Sequence, residues 1–206
     1  MDFALLLLIF AWNYLIMRIT RDLIFTFTLM IVVGSLYRVM PGRPWGFTPQ
    51  IAMAIFGGAV IKDRRLAFLL PLISMFISDA LYELLYRNGV GSIRGFYGGQ
   101  VSNYLLIASM TLFGFLIRRV SVTKIIDVSV IAPTTFFFLS NFLVWASSSP
   151  DAGLHRPKTF NGLLLCYQDG LPFFYWTVPA CLIFSVLLFG GYYLFTKRAS
   201  VAYSIN

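Results

Sequence analysis

Two carboxylates, Asp79 and Glu83, stand four residues apart within a long apolar run. Side chains at this spacing lie on one face of an α-helix. An ionisable group inside a membrane is costly, and it usually has a charged partner or a functional role. Asp79 is therefore open to three roles: an ion pair or cap, with Arg38 or Arg94 as partner, contact with a ligand or cation, or proton coupling. Paired carboxylates also serve acid–base catalysis, but no matching nucleophile or metal site accompanies these two.

Other polar groups are predicted at the same depth or at the membrane boundary. Glu83 lies one helical turn from Arg87 and could simply reach the interface. Asn103 and Asn141 are amides within apolar runs, where hydrogen bonding between helices is the alternative to ligand recognition. Asn141 has the stronger case as a ligand contact, because Trp145 follows one turn later and could stack on the same ligand.

The stretch WGFTPQIAMAIFGGA, residues 45–59, runs from a loop rich in Pro, Gly and Arg into an apolar segment of small residues. Trp45 and Thr48 are candidate ligand contacts at the entry to a membrane cavity. An interfacial belt is the alternative role for Trp45. Ala54 and Gly58 form a small-xxx-small pattern that permits close helix packing, so this segment is a candidate docking face for a partner protein.

The composition indicates an integral membrane protein. Of 206 residues, 59% are hydrophobic and 12% are charged, and the mean hydropathy is +0.80. This balance is typical of a chain whose surroundings are mostly lipid. The net charge of +8 comes from Lys and Arg scattered between apolar runs, as topology signals are. No basic stripe predicts nucleic-acid binding.

The apolar runs predict an all-α, polytopic membrane protein with two parts. Residues 1–21 carry an additional N-terminal membrane helix over 3–17, which lacks the basic start and the cleavage site of a signal peptide. Residues 22–206 form a six-span membrane domain. A semi-apolar stretch before the last span is predicted to break at Gly170 and Pro172. The predicted spans are 23–37, 48–61, 66–86, 97–117, 125–146 and 173–195.

Basic residues between the spans predict the orientation. With a cytoplasmic C-terminus, ten of the sixteen Lys and Arg residues fall on the cytoplasmic side and six on the outer side. This excess agrees with the positive-inside rule. The predicted location is a cell membrane crossed several times, with the Trp45 loop outside.

Catalytic and metal-binding patterns are missing from the sequence. There is no HExxH or GxSxG motif and no His/Cys metal spacing, so we expect no enzyme activity, no cofactor and no metal. Cys166 and Cys181 lie in apolar surroundings and are predicted to be inert. The sole histidine, His155, lies in a polar loop, where a solvated residue is the alternative to a ligand contact or pH-sensitive gate.

A set of short motifs in a fixed order resembles an uncharacterised family of small bacterial inner-membrane proteins, over about residues 22–191. At the level of topology, that family is similar to the substrate-binding S components of energy-coupling factor (ECF) vitamin transporters. The motifs are Phe47-Thr-Pro49, Ala54, Phe56-Gly-Gly-Ala59, Leu70-Pro71, Ser78-Asp79, Thr135-Phe-Phe-Phe138, Asn141, Trp145, Pro157-Lys-Thr159, Gly162-Leu163, Cys166-Tyr167 and Pro172-Phe-Phe174.

The resemblance implies a bacterial inner-membrane component that binds a small vitamin-like solute and has no ATPase of its own. S components usually carry an AxxxA face on the first helix that docks on a coupling subunit. The run 23–37 contains no alanine, which leaves Ala54 and Gly58 as the substitute face. The alternative function is a structural or accessory subunit of a larger membrane complex. Besides the bilayer, the expected partners are a coupling subunit or such a complex, and a small-molecule ligand, with no nucleic acid.

Overall fold

The computed structural model describes residues 27–117, 120–147 and 156–203, with side chains through residue 194. The predicted N-terminal part, residues 1–21 with its helix over 3–17, lies wholly outside the described residues, as does His155.

Every regular element in the described ranges is a helix. Three of these helices, α3 (Arg64–Arg87), α6 (Val122–Ser147) and α7 (Phe160–Tyr203), are long and apolar enough to cross a membrane, while α1 (Phe27–Val39) and α2 (Gln50–Val60) are shorter apolar helices. Over the described residues, the prediction of an all-α chain with helices able to cross a membrane is therefore confirmed, whereas the count of six spans stays a prediction. The other helices of the described ranges are α4 (Gln100–Ser109) and α5 (Thr111–Phe115).

Two boundaries differ from those that local sequence signals suggest. The predicted span 97–117 is divided into α4 and α5 at Met110. Conversely, α7 continues through Pro172 and Pro179 for 44 residues, although a break was expected at Gly170 and Pro172. A proline removes one helical hydrogen bond, and the contacts of α7 with α6 on both sides of Pro172 keep the helix continuous.

Helix α2 forms the centre of the fold. Its residues from Gln50 to Gly57 are all buried, and it packs against α3, α5, α6 and α7. Ala54 is completely buried, and a side chain at Gly58 would meet the Thr111 carbonyl and the Gly114 backbone of α5. The small residues thus allow close packing, as the pattern predicts, but within the chain. This corrects the expectation of an exposed docking face at Ala54 and Gly58.

Helices α6 and α7 form an antiparallel pair along most of α6. The hydroxyls of Ser129 and Ser185 lie 2.8 Å apart near one end, and the rings of Phe137 and Phe174 lie 4.6 Å apart further along. On the other side of the fold, Ser35 of α1 donates to the Ser74 carbonyl of α3 at 2.9 Å. These contacts bring the ends of α1, α3 and α6 and the starts of α2 and α4 to one end of the molecule, where the polar groups gather.

Candidate functional site

An ion pair between Arg38 and Asp79 lies at the centre of this polar end. The guanidinium donates to the Asp79 carboxylate and, at 2.6 Å, to Ser78 Oγ. The same carboxylate accepts hydrogen bonds from Gln100 Nε2 at 2.6 Å and from the Tyr104 hydroxyl at 2.5 Å. The Asp79 side chain is 2% exposed. Of the roles considered for Asp79, the structure shows the ion pair with Arg38, which connects α1 and α3, and the hydrogen bonds from Gln100 and Tyr104 add α4.

Arg43 attaches the loop between α1 and α2 to this cluster. Its Nε donates to the Arg38 carbonyl at 2.8 Å, and its Nη2 donates to the Tyr82 hydroxyl at 3.2 Å. The Tyr82 hydroxyl also donates to the Arg38 carbonyl. The loop is therefore held on α3 through backbone and side-chain contacts.

The other side of the loop lies against α7. Gly46 has a φ of +86°, which favours glycine, and a side chain there would collide with the Phe173 carbonyl. Trp45 makes an edge contact with the Phe173 ring at 6.3 Å between centroids. Glycine at position 46 therefore allows the loop to bridge α3 and α7.

A cavity of about 580 Å³ lies beneath this loop and extends between α3, α4, α6 and α7. Five of the seven predicted ligand contacts line it: Trp45, Thr48, Asp79, Asn103 and Asn141. The volume lies within the range of small-molecule sites, roughly 300–1,000 Å³. These five are a minority of the lining residues, and most of the lining was not predicted from the sequence.

Glu83 and Trp145 lie outside this lining. Glu83 accepts from Arg87 Nε at 2.8 Å and from the Gly95 amide at 3.2 Å, so it orders the turn after α3. Trp145 donates from Nε1 to the Pro157 carbonyl at 2.8 Å, and the ammonium of Lys158 lies over its ring. Trp145 therefore connects the end of α6 to the segment before α7. It does not line the cavity that Asn141 lines.

Gln50 is a lining residue that the sequence analysis missed. It is 2% exposed at the start of α2, and neither polar atom of its side-chain amide has a hydrogen-bond partner among the described residues. A buried polar group without a partner is unfavourable by about 1–3 kcal/mol. The available signal was a single amide residue directly before the apolar run IAMAIFGGAV.

Asn141 reaches the cavity because residue 170 is glycine. Its Nδ2 donates to the Phe137 carbonyl at 2.8 Å, and a side chain at Gly170 would collide with the Asn141 amide. Gly170 therefore permits close contact between α6 and α7 beside the cavity, although its sequence context suggested a helix break.

Comparison with known proteins places the chain in a family. The model of a family of unknown function (DUF6580) matches residues 18–202. The chain belongs to this family. No curated protein and no solved structure matches it. Every residue of the cavity lies within the matched range, so the site is part of the region that defines the chain as a member of DUF6580.

The cavity of this DUF6580 member is lined by charged, amide and aromatic side chains. Within the described ranges, no group of three or more His, Cys, Asp or Glu side chains is placed to hold a metal ion. Arg94 lines the cavity, with its guanidinium 5.2 Å from the centre of the Tyr86 ring. A hydrogen bond to the Tyr86 side chain raises the pKa of Arg94 above its ordinary value, so this group stays charged. The site offers cations, amides and aromatic rings.

Proposed function

We propose that this protein binds a small solute in the cavity beneath the Trp45 loop and serves as a membrane-embedded component of solute uptake. The observation that carries the proposal is the buried side-chain amide of Gln50, which lines the cavity and has no partner among the described residues. A donor and an acceptor buried together in this way are suited to a polar group of a bound molecule.

The walls of the cavity support the same function. Aromatic residues from several elements line it, among them Trp45 from the loop, Phe136 and Phe137 from α6, and Phe173 and Phe174 from α7. A small number of polar groups among apolar walls is the usual composition of a small-molecule site. The hydrogen-bonded Arg38–Asp79 cluster forms one side and fixes the helices around the site.

The finer features of the proposal follow from the sequence. The chain would be a multi-pass protein of the bacterial inner membrane with a cytoplasmic C-terminus, and the Trp45 loop would face outward. We also propose that the protein is similar to ECF S components. In that case its solute would be vitamin-like, and the chain would have no ATPase of its own. Release of the solute would then depend on a coupling partner or on movement of the helices themselves.

Purification of the full chain in mild detergent tests this function. Native mass spectrometry should detect a co-purified small molecule on the wild type, and Gln50→Leu should lose it. Gln168→Leu is the matched control, because Gln168 is exposed and lies outside the cavity lining. It should retain the molecule. A wild-type protein that carries no small molecule and instead co-purifies stably with subunits of another membrane complex would reject the proposal in favour of an accessory subunit.

A further inference from the structure

The charges around the cavity are not balanced. Its lining includes the cations Arg38, Arg43 and Arg94 and the carboxylates Asp79 and Asp169. The ion pairs found within the described ranges are Arg38–Asp79, Arg87–Glu83 and Arg156–Asp169. Both lining carboxylates are thus occupied by a guanidinium, whereas Arg43 and Arg94 form no ion pair with a carboxylate there.

The pairing of Asp169 leaves it little capacity for a cationic ligand. Arg156 donates to both of its carboxylate oxygens, from Nε and Nη2, each at 2.8 Å. Such two-pronged pairs are the stronger and more specific kind of arginine–carboxylate contact. The carboxylate of Asp79 is likewise surrounded by donors, namely Arg38, Gln100 and Tyr104. A positively charged solute would find both acids already bound.

Arg43 is half-buried, and its hydrogen bonds reach only neutral oxygens. These are the carbonyls of Arg38, Pro44 and Phe47 and the hydroxyl of Tyr82. The contacts position the guanidinium at the cavity but do not neutralise its charge. A hydrogen bond between ionised partners is roughly twice as strong as a neutral one, so an anion would gain most at this position.

We propose that the solute is a small organic anion with a flat apolar body, and that its carboxylate binds Arg43, with Arg94 adding positive charge at the same cavity. The flat body packs among the aromatic rings of α6, α7 and Trp45, which favour edge and offset contacts with another ring. The amide of Gln50 turns to bond a polar substituent on that body. This inference rests on the proposed binding function and names the class of its ligand.

Matched probes test the charge requirement on the full chain in detergent. 2-Naphthoate, 2-naphthamide and 2-naphthylmethylamine share one ring and differ in charge, while octanoate carries the carboxylate on a flexible chain. Affinity is measured by isothermal titration calorimetry and by the rise in unfolding temperature that binding produces. We expect 2-naphthoate to bind, and 2-naphthamide and the amine to bind roughly 10- to 100-fold more weakly or not at all.

Variants then assign the charge to its residue. Arg43→Gln should lower the affinity for 2-naphthoate by roughly 10- to 100-fold without changing the affinity for 2-naphthamide. Arg43→Lys should restore part of the lost affinity. Arg65→Gln, at an exposed position away from the cavity, removes the same charge and should have no effect. If Arg43→Gln does not fold, Arg94→Gln removes a positive charge from the same cavity at an exposed position. It should also lower the affinity for 2-naphthoate.

The outcomes separate this inference from the proposed function. If 2-naphthamide binds as tightly as 2-naphthoate, or if the amine binds more tightly, the claim that the solute is an anion is wrong, although a binding site would remain. If octanoate binds as tightly as 2-naphthoate, the claim that the solute has a flat body is wrong. Failure of all four probes overturns the inference, and native mass spectrometry of the purified protein then decides separately whether the cavity holds another kind of molecule.

Discussion

Arg38 and Asp79 form an ion pair that joins the end of α1 to the last turns of α3 at the side of the cavity. Their side chains are 15% and 2% exposed, respectively. A buried charge whose partner is removed is left without compensation, and this loss usually exceeds what the intact pair contributes. The pair is therefore a sensitive point of the fold.

Neutralising one partner should destabilise the protein strongly. We expect Arg38→Gln or Asp79→Asn alone to lower the free energy of unfolding by about 3–5 kcal/mol. The double variant should recover most of that loss, because no charge remains and the amide introduced at position 79 can still accept from Tyr104. Thermal unfolding in detergent, analysed as a double-mutant cycle, measures the coupling. Additive effects would contradict an ion pair. Glu83→Gln is the control, and its effect should be much smaller because Arg87 is 75% exposed.

Gln50 provides a second prediction, in which stability and binding change in opposite directions. Gln50→Leu removes a buried amide without partners among the described residues, so the protein without ligand should become more stable by about 1–3 kcal/mol. The same change should abolish retention of the co-purified molecule. Unfolding temperature and native mass spectrometry are measured on one preparation. A loss of both stability and ligand would indicate that Gln50 has a structural role, and the proposed role in binding would fall.

The packing of α2 on α5 gives a third prediction. A side chain at Gly58 would meet the Thr111 carbonyl and the Gly114 backbone, which cannot move as a flexible side chain does. Gly58→Ala should therefore destabilise the protein by about 1–3 kcal/mol. Gly190→Ala is the matched control in another helix, because nothing described lies within 4 Å of the added carbon. It should be neutral or slightly stabilising. Equal effects at both positions would show that α2 and α5 are less closely packed.

The sequence predicts the class of fold and several residues of the site because lipid solvation imposes simple rules. Long continuous apolar runs favour helices in a membrane, where the backbone must satisfy its own hydrogen bonds, and a carboxylate such as Asp79 usually has a partner there. Arg38 and Arg94 were both possible partners by position in the sequence. The choice of Arg38 depends on how α1 lies beside α3, and local sequence signals carry no such information.

The wrong and missing predictions have the same cause, because they depend on how the helices pack together. Gly170 and Pro172 suggest a helix break locally, but Gly170 is required for contact with Asn141 of α6, and that packing outweighs the local tendency. Gln50 falls inside the predicted span 48–61, and no local signal singles it out. Its importance arises only when α2 is buried at the centre of the fold and its amide is left without a partner among the described residues.

The two cysteines should differ in reactivity, which gives a fourth prediction. Both cysteines are buried, at 4% and 1% exposed, but Cys166 lines the cavity whereas Cys181 belongs to the hydrophobic core. A small reagent such as methyl methanethiosulfonate should modify Cys166 first, and intact-protein mass spectrometry with peptide mapping follows the rate. Saturation with the co-purified solute should slow the modification. Cys166→Ser leaves only Cys181 and should react far more slowly. Faster reaction at Cys181 would contradict the position of the cavity.

Site-directed labelling tests the proposed orientation of the cavity. Gly98 is exposed in the loop before α4 at the cavity end, and Lys62 is exposed in the turn between α2 and α3 at the opposite end. Cysteine is introduced at each position after Cys166 and Cys181 have been replaced by alanine. A membrane-impermeant maleimide added to intact bacterial spheroplasts should label Gly98→Cys and not Lys62→Cys, while both react after the membrane is dissolved. The reverse pattern would place the cavity on the cytoplasmic side, and the protein could then not capture its solute from outside the cell.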